Sequence, residues 1–192
     1  MLIPGVHNME SLKVLILSHN VLTAVPAGVG KLDKLNTLQM SYNQLSKLST
    51  DLGHTTGLTQ LLIDHNELTE MPVEMGRLTN LTDLALEGNF WTKPPTVIID
   101  QGCDVIVEYL GRLLEARATR LLFMDNMKLP FLPPEMLDMP YLTGLSMADN
   151  QVCMPKTQTQ TQTHTETGME TQTEMHAKRA LTTALRYSNE TC

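Results

Sequence analysis

The chain has 192 residues, 42% of them apolar but only 4% aromatic, so one domain with an aliphatic core is within reach. The formal net charge is −7, and it sits wholly on residues 1–155, because Lys156, Lys178, Arg179 and Arg186 cancel Glu166, Glu170, Glu174 and Glu190. An acidic body is a poor match for nucleic-acid phosphates or an anionic membrane surface, and no stretch approaches the roughly 20 apolar residues of a membrane-spanning helix.

In chain order, residues 3–11 read as the back half of a repeat, one residue short, so the array is expected to begin inside a repeat without a cap. Leu12, Leu35, Leu58 and Leu81 then recur every 23 residues, and Asn20, Asn43, Asn66 and Asn89 keep the same step. Between them runs Leu-x-x-Leu-x-Leu-x-x-Asn, as in Leu12-Lys-Val-Leu15-Ile-Leu17-Ser-His-Asn20, with Met40 and Ile63 as apolar substitutes. Alternation turns Leu15 and Leu17 inward from a short strand. The asparagine turns the chain out of that strand, and its side chain is expected to satisfy buried backbone groups. A second half carries apolar–Pro pairs (Val25-Pro26, Met71-Pro72) and the core positions Val29, Leu32, Leu52, Met75 and Leu78. One such unit cannot bury its own leucines; stacked neighbours must.

After Asn89 the pattern breaks. Ile106, Tyr109, Leu110, Leu113 and Leu114 form a helical apolar stripe, with Asp104 near the helix start, so 96–117 is expected to be a helical cap or insertion. Repeats then resume over 118–155. Leu121, Phe123 and Asn126 take the template spacing, Ala118 replaces the first leucine, and Leu129, Leu132 and Pro133 come one residue late, as though this copy carried an insertion. Leu142, Leu145, Met147 and Asn150 open a sixth copy. From Lys156 to Cys192 the Thr–Gln alternation offers no core former, and a disordered low-complexity tail is expected. The segment Leu181–Tyr187 is the one piece of it able to fold back as a cap over the sixth copy.

These residues resemble the leucine-rich-repeat family, and the 23-residue variety with its Leu-Pro-x-x-apolar half is similar to the cytosolic Ras-group and scaffold repeats. The resemblance implies an α/β fold: a curved solenoid with short parallel strands on its concave face, in repeats over 1–95 and 118–155. It implies a protein–protein interaction module in intracellular signalling, not an enzyme. Two alternatives stand beside it. One is the recognition segment of a larger signalling enzyme, such as a ubiquitin ligase or kinase; the other is a truncated product with little function.

Other chemistry is poorly served. Gly28-Val-Gly30-Lys31 lacks the first glycine and the hydroxyl residue of a phosphate loop. His19 and His65 lie two repeats apart, roughly 10 Å at about 4.8 Å per strand, too far for one metal ion to bridge. Cys103, Cys153 and Cys192 show no metal-ligand spacing, and their odd number suits a reducing compartment. Met1–His7 has no signal-peptide pattern, so a cytoplasmic location is expected and the sequons at Asn80 and Asn189 are expected to be idle. No catalytic residue, metal, cofactor, small-molecule substrate, nucleic acid or membrane is expected.

What remains is the concave face. His19, Tyr42 and His65 should stack in one column there, with Asp64, Asp83 and Glu87 beside its far end and Ile16, Gln39 and Leu62 lining the strands. An amphipathic row containing an aromatic suits a protein partner that brings a basic surface.

Overall fold

The computed structural model describes residues 9–152. The sequence expectations for 1–8 and 153–192, including the low-complexity tail, the Leu181–Tyr187 cap, Cys153, Cys192 and the Asn189 sequon, lie outside the described residues.

Four three-residue strands, β1 (Val14–Ile16), β2 (Thr37–Gln39), β3 (Gln60–Leu62) and β4 (Asp83–Ala85), form one parallel sheet in that order. Each residue pairs with the one a repeat later, as in Leu15↔Leu38, Leu38↔Leu61 and Leu61↔Leu84. The inward leucines thus stack, and Leu38 and Leu61 are fully buried. The opposite wall is made of 3-10 turns at Val29–Lys31, Thr50–His54 and Val73–Arg77, whose Val29, Leu52 and Met75 close the core.

The asparagines form a ladder. Asn66 Oδ1 accepts the Leu45 N–H of the previous coil at 3.0 Å, while Nδ2 donates to the carbonyls of Met40, Ile63 and Asp64. Asn43 and Asn89 repeat the pattern. Asn20 does not: it is exposed, and among the described residues it bonds the local carbonyls of Leu17 and Ser18.

A second column is made of glycine. A methyl group added at Gly30 would fall 2.4 Å from the Asp51 carbonyl oxygen, and one at Gly53 would fall 2.3 Å from that of Glu74. At Gly76 it would meet the Gly111 backbone nitrogen at 2.2 Å. Gly111 belongs to a helix, so the column shows what occupies the next position on the wall. After the short helix α1 (Thr96–Ile99), α2 (Cys103–Thr119) packs on the Val73–Arg77 turn and buries Ile106, Val107, Tyr109, Leu110, Leu113 and Ala116. Leu114, expected in the stripe, is half-buried, and Val107 and Ala116 join the buried face instead. Asp104 lies in the first turn, beside the dipole's positive end, with Gly102 as the N-cap. Arg117 pairs with Glu74 at 2.8 Å across the same seam.

Strands resume as a separate parallel pair, β5 (Leu121–Phe123) and β6 (Gly144–Ser146). Their register corrects the sequence reading of this copy. Leu121 pairs with Gly144, and the Asn126 N–H donates to Ala148, as His65 N–H donates to Glu87 one position before the asparagine. Asn126 therefore stands where histidine or tyrosine stands in other coils, and buried Met127 takes the asparagine position. Leu122 and Met124 point inward at 0% exposure, whereas Leu121 and Phe123 face solvent at 40% and 53%. Leu129, Leu132 and Pro133 then fall in register, and no residue is inserted. The one-residue error arose because two apolar pairs, Leu121/Phe123 and Leu122/Met124, both satisfy the alternation, and burial decides between them.

Candidate protein-interaction surface

The residue before each repeat asparagine has to turn the chain at positive φ. His19, Tyr42 and His65 do so at 57°, 56° and 52°, and Gly88 at 66°. Because the coils are in register, these side chains stack. The His19 and Tyr42 rings lie 4.6 Å apart at an interplanar angle of 11°, and Tyr42 and His65 lie 4.2 Å apart at 9°. The Tyr42 ring thus stands between the two histidines. At the far end, a methyl group at Gly88 would fall 2.9 Å from His65 Cδ2, so glycine serves both the backbone and the ring face against it.

Acidic groups are fixed beside this column. Asp64 accepts the Ser41 hydroxyl and faces His65 Nδ1 at 2.9 Å. Burial alone would raise its pKa, but the hydrogen bonds from Ser41 and His65, with a backbone bond and the His65 charge, hold it below the ordinary carboxylate range. Asp64 is half-buried, more deeply held than a simple outward position implies. A polar chain crosses the strands: Gln39 Nε2 donates to Gln60 Oε1 at 3.2 Å, and Gln60 Nε2 donates to Asp83 Oδ2 at 2.7 Å. Asp83 and Glu87 are exposed. Ile16 is 61% exposed, while Leu62 is half-buried.

The structure thus brings His19, Tyr42, His65 and Asp64 into direct contact, and links Gln39 through Gln60 to Asp83. Gln60, which shares Asp83's outward strand position, carries that link and was not among the residues expected to bind a partner. Phe123 was also missed, hidden by the register error. Cys103 packs quietly: burial, reinforced by the charges of Asp104 and Asp83, pushes its thiol up to about 11, and its Sγ donates to the Leu81 carbonyl. Among the described residues no group of three or more His, Cys, Asp or Glu side chains is placed to hold a metal ion, and no helix is long and apolar enough to cross a membrane.

Residues 10–68 match the family model described as leucine rich repeat. The same coil continues through β4 and Asn89 and returns in β5 and β6, so the fold is that of leucine-rich repeats. No curated protein matches this sequence. Among solved structures, it is similar to a leucine-rich-repeat protein of Leptospira interrogans, at 29% identity and a TM-score of 0.46 over 76% of this chain and 33% of that one. It is also similar to internalin C2 of Listeria monocytogenes, at 25% identity and a TM-score of 0.42 over 47% of this chain and 39% of that one. A third is the ectodomain of an Arabidopsis thaliana receptor kinase solved with CASPARIAN STRIP INTEGRITY FACTOR 2, at 21% identity and a TM-score of 0.43 over 76% and 19%. The chain thus spans from about a fifth to two fifths of the length of these structures.

Proposed function

We propose that this chain is a protein-interaction module, an adaptor or scaffold surface of intracellular signalling, that takes a basic protein partner on its strand-lined concave face. The observation that carries the proposal is the exposed His19–Tyr42–His65 stack with Asp64 and Asp83 fixed alongside and Glu87 exposed nearby. Three rings held face to face lose little side-chain freedom when a partner covers them, which is the main cost of immobilising an interface. The carboxylates of Asp64 and Asp83 are likewise held by Ser41, His65 and Gln60 before any partner arrives. Such preset negative charge favours lysine or arginine opposite and speeds encounter with a basic surface. The 23-residue repeat resembles cytosolic Ras-group repeats, which supports an intracellular setting.

The test is affinity capture with the intact chain, compared with a Tyr42→Ala, Asp83→Lys double variant. Both side chains are exposed, so the variant should melt close to the parent. Loss of the captured basic proteins, with salt-sensitive binding by the parent, is the expected result. An unchanged set of partners in unchanged amounts removes the concave face from consideration.

A further inference from the structure

The first sheet stops at β4 with its hydrogen-bonding edge open. In a parallel pair each strand turns alternate residues toward each neighbour. Asp83 and Ala85 face β3, since Asp83 N–H donates to Thr59 and Ala85 C=O accepts from Ile63. The Leu84 N–H and C=O, the Leu86 N–H and the Thr82 C=O therefore face away from it, and none has a partner among the described residues. In a continuing array the next coil would cover them. Here β5 begins 38 residues after β4, not 23, and does not pair with it. Inward Leu84 is only half-buried, where its ladder mates Leu38 and Leu61 are at 0%.

The facing edge of β5 has been dealt with differently. Thr119 Oγ1 donates to the Leu121 carbonyl and accepts the Leu121 N–H, and Arg112 of α2 donates to the carbonyls of Phe123 and Asp125. Side chains from α2 thus cap one edge of the break and leave the other bare. The Leu86 carbonyl, at the end of β4, is taken by Trp91 Nε1 at 2.9 Å, which sets the length of the vacant stretch at Thr82–Leu86.

We propose that the β4 edge accepts one added strand from a protein partner, an extended segment in which lysine or arginine alternates with apolar residues. This rests on the concave-face reading and specifies how the partner binds. Main-chain pairing with Thr82, Leu84 and Leu86 supplies the attachment, as in other strand additions. Alternate side chains then fall on two surfaces. One set lies beside exposed Asp83 and Glu87, where positive charge is favoured; the other covers the half-open flank of Leu84, where an apolar group is favoured. A bare edge of this kind is otherwise a template for unwanted pairing.

The probe is a fluorescein-labelled octapeptide alternating lysine and valine, titrated into the intact chain by fluorescence anisotropy. Two further peptides carry N-methyl groups on alternate residues, one set along each edge. Saturable binding is expected, weakened tenfold or more by N-methylation along one edge and little along the other. Leu84→Pro should weaken it similarly while keeping the β3 ladder, because the N–H it removes faces away from β3. Equal affinities for both N-methylated peptides would overturn strand addition while leaving the concave face as a charge-driven surface. No binding of any peptide, alongside capture of basic proteins that depends on Tyr42, would also overturn it. So would dimers of the chain that disappear in Leu84→Pro, or displacement of the probe by a peptide of residues 157–163, since the edge would then belong to a second copy or to the chain itself.

Discussion

Replacing Asn66 by alanine tests the asparagine ladder where its accounts can be followed atom by atom. The side chain makes four hydrogen bonds, but their loss is not equally costly. The Ile63 carbonyl keeps Asn89, the Met40 carbonyl keeps Asn43, and the Asp64 carbonyl keeps the Tyr42 N–H. Only the Leu45 N–H, which has no other acceptor, is orphaned in the interior. One buried unsatisfied amide costs about 1–3 kcal/mol, and the weakened sharing at three carbonyls adds about 1 kcal/mol more. For a body of this size that is a drop of roughly 6–12 °C in melting temperature, at about 3 °C per kcal/mol. Asn20 is the internal control, because it is exposed and the Leu17 carbonyl it touches keeps Asn43. Asn20→Ala should therefore cost no more than about 0.5 kcal/mol. The assay is thermal unfolding by circular dichroism on the parent and both variants. Equal shifts for Asn66→Ala and Asn20→Ala would refute the idea that the ladder acts across repeats rather than as a local turn.

Three other outcomes follow from the same geometry. Leu122→Ser should destabilise strongly, by about 2–4 kcal/mol, and Phe123→Ser hardly at all; denaturant midpoints distinguish this register from the shifted one. Gly76→Ala places a methyl group 2.2 Å from the Gly111 nitrogen, so the seam with α2 must open at a cost of about 1–3 kcal/mol, and hydrogen exchange should rise in Cys103–Thr119 before it rises in β1–β3. Glu135 is buried against the Tyr109 hydroxyl at 2.8 Å, and burial, aided by Asp138, lifts its carboxyl above the ordinary range against the pull of its hydrogen bonds and of Lys93. A raised folded value gives stability that is present in acid and lost as pH climbs through it. Glu135→Gln should accordingly melt above the parent at about pH 8, with the gap closing as the pH falls below about 4, where the parent carboxyl becomes protonated in both states.

The periodicity carried the first four coils because every link in them is local: each leucine is placed by strand alternation, and each asparagine by a fixed step. The stacked column was legible for the same reason, since equal spacing in parallel register must align His19, Tyr42 and His65. The fifth coil failed where the local signal was degenerate. Leu121-Leu122-Phe123-Met124 supplies an apolar residue at every position, so alternation cannot say which pair turns inward, and the asparagine at 126 lent weight to the wrong one. Only the pairing of Leu121 with Gly144 settles it. The Gly76–Gly111 contact and the Tyr109–Glu135 bond were out of reach for another reason: each joins elements whose relative placement follows from the whole stack.

The inserted helix ties these points together. A regular array would bury β4 under a fifth strand, and its exposed acids would continue into the next coil. Instead α2 takes the wall position above the Val73–Arg77 turn, and the sheet ends at β4. The cost is visible, among the described residues, as four unpaired main-chain groups and a half-open leucine. Fold stability alone gives no reason to leave that edge bare, because α2 carries Arg112 and Thr119 to cap the equivalent groups of β5. The bare edge lies on the strand that carries Asp83, with Glu87 just beyond it, and the Gln39–Gln60–Asp83 chain runs from the second strand to that edge. Aromatic column, polar chain and open strand therefore converge on one end of the first sheet, and a partner that used any one of them would lie against the others.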